Sequence, residues 1–123
     1  MIEKTLRSYL VAALNGVPVL MEAPEVPSAD FPEFPDQLVL IERVGGNKQN
    51  LIQTGSFAIQ SYGKSLLEAV ALDEEVRAAM EDFVTVENIG AVSLSSCYNH
   101  TDTRTGKYRY QSTFDVTFVE TGE

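Results

Sequence analysis

The segment KYRYQSTFDVTFVE, residues 107–120, alternates apolar and polar side chains almost without interruption. Apart from Ser112, every second position from residue 108 to residue 118 is apolar: Tyr108, Tyr110, Phe114, Val116 and Phe118. A period of two places successive side chains on opposite faces of a β-strand. The chain is therefore expected to contain a sheet that buries one face against other elements.

Two segments have helical periodicity. In residues 2–14 the apolar side chains recur at spacings of three and four, and Asn15-Gly16 is expected to end the helix. In residues 65–83 an apolar stripe follows Ser65, which has capping-box spacing with Glu68. The acidic run 73–75 is interpreted as part of the solvated side of this helix, although Asp73 could instead cap a second segment after a break.

Four further segments are predicted to be strands. Residues 17–21, 37–44, 51–63 and 89–98 read as extended, with Gly55 expected at a bulge or bend. The last two strands are expected to form a hairpin whose polar tip spans residues 99–107. With 123 residues one domain is the default. The order of elements predicts an α+β fold: a small mixed, mostly antiparallel sheet with two helices packed on one face.

Gly45-Gly46 and Lys48 raise the question of a phosphate-binding loop. That loop requires a second glycine directly before Lys-Ser/Thr and a helix after it, whereas here a strand is expected on both sides. Two glycines between apolar runs are better explained as a hairpin turn that needs positive φ. No nucleotide or other cofactor is therefore expected.

Residues 23–36 contain four prolines, which excludes regular helix or sheet. Phe31 and Phe34 indicate that this segment docks, either on its own domain or on a neighbouring subunit. A net charge of −9 argues against tight nucleic-acid binding, and it is explained first by solubility.

Residue types for catalysis or metal binding are sparse. His100 and Cys97 are the only histidine and cysteine, fewer than a structural zinc site requires. A triad of Ser96, His100 and Asp102 would crowd one hairpin tip without an oxyanion loop. The N-terminus lacks signal-peptide features, no run is long enough to span a membrane, and an unpaired cysteine fits a reducing cytoplasm. We expect no enzyme and no metal site.

Four segments in order, the N-terminal helix, GVPVLMEAP, LVLIERVGGNKQNLIQTGSFAIQSYGKSLLEAVAL and YRYQSTFDVTF, resemble the tail terminator proteins of long-tailed bacteriophages and prophages. The strand-glycine-strand-helix block, with an aromatic residue near Tyr62, carries most of the resemblance. The resemblance covers most of the chain, and its motifs are patterns rather than invariant signatures. Segment 23–36 is longer and richer in phenylalanine than is typical of the family.

The resemblance implies a virion protein of the tail and neck, made in the host cytoplasm. Such proteins form a ring, typically a hexamer, on the head-proximal end of the tail tube. They end tube polymerisation and join a head-completion or connector protein, and DNA passes through the ring without specific binding. An acidic channel would let phosphates slide past. No catalytic residue comes with the resemblance.

Candidate assembly residues fall into three groups. The glycine segment contributes Gly45, Gly46, Asn47, Lys48 and Gln49. The hairpin tip contributes Asn99, His100, Arg104 and Lys107, and the proline-rich segment contributes Phe31 and Phe34. Two alternatives stay open. One is another neck, head-closure or minor tail protein, and the other is a small ligand-binding α+β domain or enzyme, which a buried polar pocket with perturbed titratable groups would favour.

Overall fold

The structure is a computed structural model, and it describes residues 1–49, 52–101 and 107–119. The helices and strands follow in chain order: α1 Ile2–Ala13, β1 Val19–Leu20, β2 Leu38–Gln49, β3 Ile52–Gly63, α2 Leu66–Asp82, a 3-10 turn Phe83–Thr85, β4 Ile89–Asn99 and β5 Tyr108–Val119. These strands form one sheet in the order β1-β2-β3-β5-β4. β1 pairs parallel with β2, and every other pair is antiparallel.

Both helices pack on the same face of the sheet. One apolar cluster joins Leu6 and Leu10 of α1 and Leu72 and Val76 of α2 to the inward side chains of the strands. The inward strand residues are all buried: Val39, Ile41, Phe57, Ile59, Phe114, Val116 and Phe118. The predicted α+β fold with both helices on one face is confirmed.

The helix ends follow the predicted local chemistry. α1 ends at Ala13, and Gly16 adopts φ +82°, which glycine accepts at little cost. At the start of α2 the Ser65 hydroxyl accepts a hydrogen bond from the Glu68 amide at 3.2 Å. α2 then continues without a break to Asp82, so the alternative of two helical segments is wrong.

The glycine pair lies inside a strand, and the predicted turn at Gly45-Gly46 is wrong. β2 continues to Gln49, and the register against β3 shifts between Arg43 and Gly45, which marks a bulge at Val44. Gly46 has φ +152°, so the expected positive φ is confirmed, although Gly46 lies in a strand opposite Gly55 and not in a turn. The connection to β3 falls on residues 50–51, outside the described residues.

Of the bulge or bend predicted at Gly55, the bulge is wrong, because Gly55 lies opposite Gly46 in regular register. A side chain at Gly55 would meet the Phe57 ring at 2.9 Å. The glycine is therefore required for close packing on the core face, and the irregularity belongs to the neighbouring strand.

Candidate assembly surfaces

One end of the sheet carries a group of aromatic and basic side chains that we call the cationic end: Phe34, Tyr62, Lys64, Lys107 and Arg109. The Phe34 and Tyr62 rings lie 5.5 Å apart, and the Lys107 ammonium lies 4.3 Å from the centre of the Phe34 ring. The Arg109 guanidinium lies over the Tyr62 ring and donates to its hydroxyl at 3.0 Å. The strand register brings these residues together, since Tyr62 pairs with Arg109 and Gly63 with Tyr108.

A chain of hydrogen bonds extends from Tyr62 across the sheet face opposite the helices. The Tyr62 hydroxyl donates to Gln60 at 3.3 Å, and the Gln60 amide donates to Gln111 at 3.1 Å. Gln111 in turn donates to the Tyr98 hydroxyl at 2.8 Å. Gln60 and Gln111 are buried although polar, and each has a partner in this chain. The hydrogen bonds therefore satisfy these buried polar side chains and fix them in one arrangement.

The hollow at the cationic end is small. It measures about 130 Å³ and is lined by Phe34, Pro35, Asp36, Tyr62, Gly63, Lys64 and Lys107. Sites for drug-sized ligands usually enclose about 300 Å³ or more. Its rim carries an exposed ion pair, Lys64 to Asp36 at 3.2 Å, which contributes little to stability. The hollow therefore suits one side chain of a partner better than a nucleotide or another cofactor.

The other end of the sheet carries a second, unlike surface, the apolar end: Ile52, Ile89, Phe118 and Val119. Ile52 is 54% exposed and Val119 39% exposed. The four residues line a shallow hollow of about 280 Å³ together with Asn88, Gly90 and Thr117. Ile89 and Phe118 are buried beneath them, so the exposed apolar surface here consists of Ile52 and Val119. Exposed apolar side chains that lie side by side can mark a protein contact.

The two surfaces are separated by the full length of the central strands. Ile52 pairs with Val119 at one end of the β3–β5 ladder, and Gly63 pairs with Tyr108 at the other. Strands of this length span roughly 35 Å at about 3.3 Å per residue. The chain thus has a basic, aromatic surface at one end of the sheet and an apolar surface at the other.

Of the three predicted groups of assembly residues, the proline-rich segment and the hairpin tip are in contact in the structure. Phe34 of the proline-rich segment stacks under Lys107 of the hairpin tip, so the segment docks on its own domain at this point. Phe31 is half-buried, and its amide and carbonyl bond to the Ser28 side chain and amide respectively. His100 packs edge-on against Tyr98, and its carbonyl accepts from Arg109.

The third group lies apart from these two. Gly45, Gly46 and Asn47 are exposed residues of β2, and Asn47 pairs with Thr54 towards the apolar end. Lys48 and Gln49 continue the strand, but their side chains are not among those described. Asn99 ends β4, where its side chain accepts from Thr101, and Arg104 lies outside the described residues.

Asp73 contradicts the interpretation of residues 73–75 as a solvated helix side. Its side chain is fully buried between α2 and the sheet, whereas Glu74 and Glu75 are exposed as expected. The Ser112 hydroxyl donates to Asp73 Oδ1 at 2.6 Å, and Arg77 Nε donates to Oδ2 at 2.9 Å. The Cys97 thiol lies 3.6 Å from Oδ2. Ser112 was the one polar residue on the inward face of β5, and this anomaly is the sequence signal that could have revealed Asp73.

Asp73, Ser112, Arg77 and Cys97 form a cluster that hydrogen bonds and charge interactions stabilise. Partial burial acts to lower the pKa of Arg77, but the hydrogen bond and the charge of Asp73 outweigh it, and the net pKa is raised. Hydrogen bonding and charge interaction with Cys97 raise the pKa of Tyr110 beside the cluster. Both Asp73 oxygens are already occupied by donors from the chain. The cluster therefore joins α2 to β4 and β5, and we call it the latch.

The latch yields a stability prediction. Asp73→Ala leaves the Ser112 hydroxyl without its acceptor, and Ser112→Ala leaves a buried carboxylate oxygen without its donor. Each change should cost about 1–3 kcal/mol of unfolding free energy, measured by urea denaturation. The double variant should lose less than the sum, with a coupling of about 0.5–3 kcal/mol. Strictly additive losses would show that the two side chains act independently.

Comparison with known proteins gives no family for the chain: no protein-family model matches it, and neither does any curated protein. In the described part of the chain, neither helix is long and apolar enough to cross a membrane. Within the same residues, no three His, Cys, Asp or Glu side chains are grouped as metal ligands would be. The function therefore has to be inferred from the residues, the geometry and the sequence resemblance.

Proposed function

We propose that this chain is a structural subunit of a phage or prophage virion, a tail terminator that forms a ring on the head-proximal end of the tail tube. The resemblance of residues 38–72 and 108–118 motivates the proposal. In this role the ring ends tube polymerisation and presents the surface that the head-completion protein joins. The role is assembly and not catalysis.

The single structural observation that supports this role is the pair of unlike surfaces at opposite ends of the sheet. A terminator lies between two different partners, the tube below and the head above, so its two ends must differ. The cationic end and the apolar end differ in charge and polarity and are separated by the length of the β3–β5 ladder. An enzyme that acts on a small molecule would not need two unlike surfaces at opposite ends of its sheet.

The outward side of α2 is consistent with a channel for DNA. Three exposed carboxylates recur every seven residues and so share one side of this helix: Glu68, Glu75 and Asp82. The basic residue Arg77 is engaged by the buried Asp73. A surface of this charge repels phosphates, and DNA would meet little attraction in passing it.

Charge reversal at the cationic end tests the role. Lys107→Glu removes the cation above Phe34 and should abolish tube capping while leaving the melting temperature unchanged, because exposed side chains rarely govern stability. The matched control is Ala12→Glu/Ala13→Glu, which changes the net charge by the same amount at two exposed α1 positions. The readout is negative-stain imaging of purified tails. The same outcome is predicted from the sequence for charge reversal at Lys48 or Arg104.

The outcomes separate the proposed role from its alternatives. If the Lys107→Glu protein still caps tubes, the cationic end does not take part in the contact with the tube. Wild-type protein that binds isolated connectors but never tube ends would favour the head-closure role.

A further inference from the structure

The sheet has two open edges, and β4 forms one of them. Over its eleven residues, Ile89–Asn99, β4 contains no charged residue and no proline. Within the described residues only β5 pairs with it. Natural edge strands are usually protected by charge, proline or bulges, because free N–H and C=O groups invite another strand. β4 has bulges near Gly90 and Ser95, but residues 91–94 between them are regular and unprotected.

A groove follows this edge on the helix side. Because α2 packs mainly on β3 and β5, it leaves a hollow of about 230 Å³ between itself and β4. The hollow is lined by Arg77, Met80, Glu81, Val92, Leu94 and Phe114. Leu94 is 47% exposed beside it. An apolar groove next to an uncharged edge is the form of a site that receives a β-strand.

The opposite edge of the sheet is β2. β1 pairs with β2 only at Val39 and Leu40, so within the described residues 41–49 have a strand partner on one side alone. This stretch is mostly exposed and carries the bulge residue Val44, which is 53% exposed. Because β2 and β4 run in opposite directions, a second copy in the same orientation would bring its β2 antiparallel to β4.

The charges beside the two edges are complementary. On α2 the exposed Glu74 and Glu81 lie seven residues apart, so they share one side of the helix, and Glu81 lines the groove beside β4. On α1 Arg7 Nε donates to the Val19 carbonyl of β1, which places Arg7 at the β2 edge, and Lys4 lies one turn before it. If a second copy joined the sheet in the same orientation, the acidic α2 of one copy would lie beside the basic α1 of the other. A symmetric β4–β4 contact would set two acidic helices together.

We propose that β4 pairs with β2 of a second copy of this chain, antiparallel and head to tail, so that the sheet continues from subunit to subunit. This inference rests on the proposed function and names the lateral contact of the ring. Pairing through β4 reaches the apolar end only at Ile89 and Gly90. Ile52 and Val119 at one end of the β3–β5 ladder, and Tyr62 and Arg109 at the other, stay free for the partners above and below. A heterologous contact of this kind closes into a ring when its rotation permits.

Disulfide trapping tests the contact in the full-length protein, in a Cys97→Ser background. Ser93→Cys lies on the β4 edge, and Glu42→Cys and Asn47→Cys lie on β2, on the same sheet face. At about millimolar concentration, where weak contacts are populated, Ser93→Cys mixed with one of the β2 variants should form a mixed dimer under mild oxidation. The collision control is Ser93→Cys with Leu67→Cys, since Leu67 is 80% exposed and lies on neither edge.

The charge arrangement provides a second readout. Lys4→Glu should lower the yield of the mixed dimer about threefold to tenfold at low salt, and Lys4→Arg should preserve it. Dimers from Ser93→Cys alone would indicate a symmetric β4–β4 contact and overturn the proposal. A mixed yield no higher than that of the Leu67→Cys control would overturn it as well.

Failure of this contact can be told apart from failure of the proposed function. Wild-type protein that caps tubes without β4–β2 cross-links would form its ring through another surface. Cross-links in a protein that does not cap tubes would leave the lateral contact intact and remove the terminator role.

Discussion

Gly46→Val should lower the unfolding free energy by about 2–6 kcal/mol, measured by urea denaturation. Two costs combine in this substitution. A valine at φ +152° adopts a backbone conformation that side chains resist, at about 1–3 kcal/mol. Its Cβ would also press against the Thr54 carbonyl oxygen of the paired strand, and overpacking of this kind costs about 1–3 kcal/mol.

Gly45→Val is the matched control. A Cβ at Gly45 has only the Ser56 Cβ near it, at 4.0 Å, and Gly45 does not have positive φ. We expect a change of about 1 kcal/mol or less in the same measurement. Equal losses for the two variants would contradict the bulge and restore the tight-turn interpretation, in which both glycines are required.

Phe118→Ala should cost about 3–5 kcal/mol, the range for truncating a buried phenylalanine. Phe118 is 2% exposed in the core cluster, and the Arg43 guanidinium lies 5.9 Å from the centre of its ring. Truncation would leave a cavity at the end of the core and remove this cation–π contact.

Tyr108→Ala controls for the strand itself. Tyr108 lies on the same alternating set of β5 but is 40% exposed, so its loss should cost about 1 kcal/mol or less in thermal or urea unfolding. A Phe118→Ala protein as stable as wild type would mean that the buried face of β5 had been assigned backwards.

Much of the fold was predictable because short-range rules decide it. The period-two pattern of β5 identified its buried face, and the Ser65–Glu68 spacing located the start of α2 within one residue. The rules failed where polar side chains from two distant segments satisfy each other's hydrogen bonds. Asp73 alone resembles a surface carboxylate, and Ser112 alone is an interruption; their hydrogen bond makes both suitable for the core.

The glycine pair shows a second limit of local reasoning. Positive φ at Gly46 was predictable, but a glycine with positive φ can lie in a hairpin turn or within a strand. Which of them forms depends on how far β3 extends alongside β2. The pairing of Gln49 with Ile52 shows that the two strands extend past the glycines. These residues lie outside the glycine pair on which the prediction was based.

The candidate surfaces were predicted as separate segments, and their combination required the structure. Phe34 and Lys107 are far apart in the chain, and neither suggests the other. Pairing of β3 with β5 places Tyr62 beside Arg109, and the proline-rich segment then brings Phe34 under Lys107. The apolar end was not predicted, because Ile52, Ile89 and Val119 come from three different strands.

The most direct test of the proposed terminator role is negative-stain electron microscopy of purified tail tubes incubated with the wild-type protein. We expect a ring-shaped cap on one end of each tube, and tubes of uniform length when the protein is present during polymerisation. Tubes that stay uncapped and continue to lengthen in the presence of folded protein would contradict it.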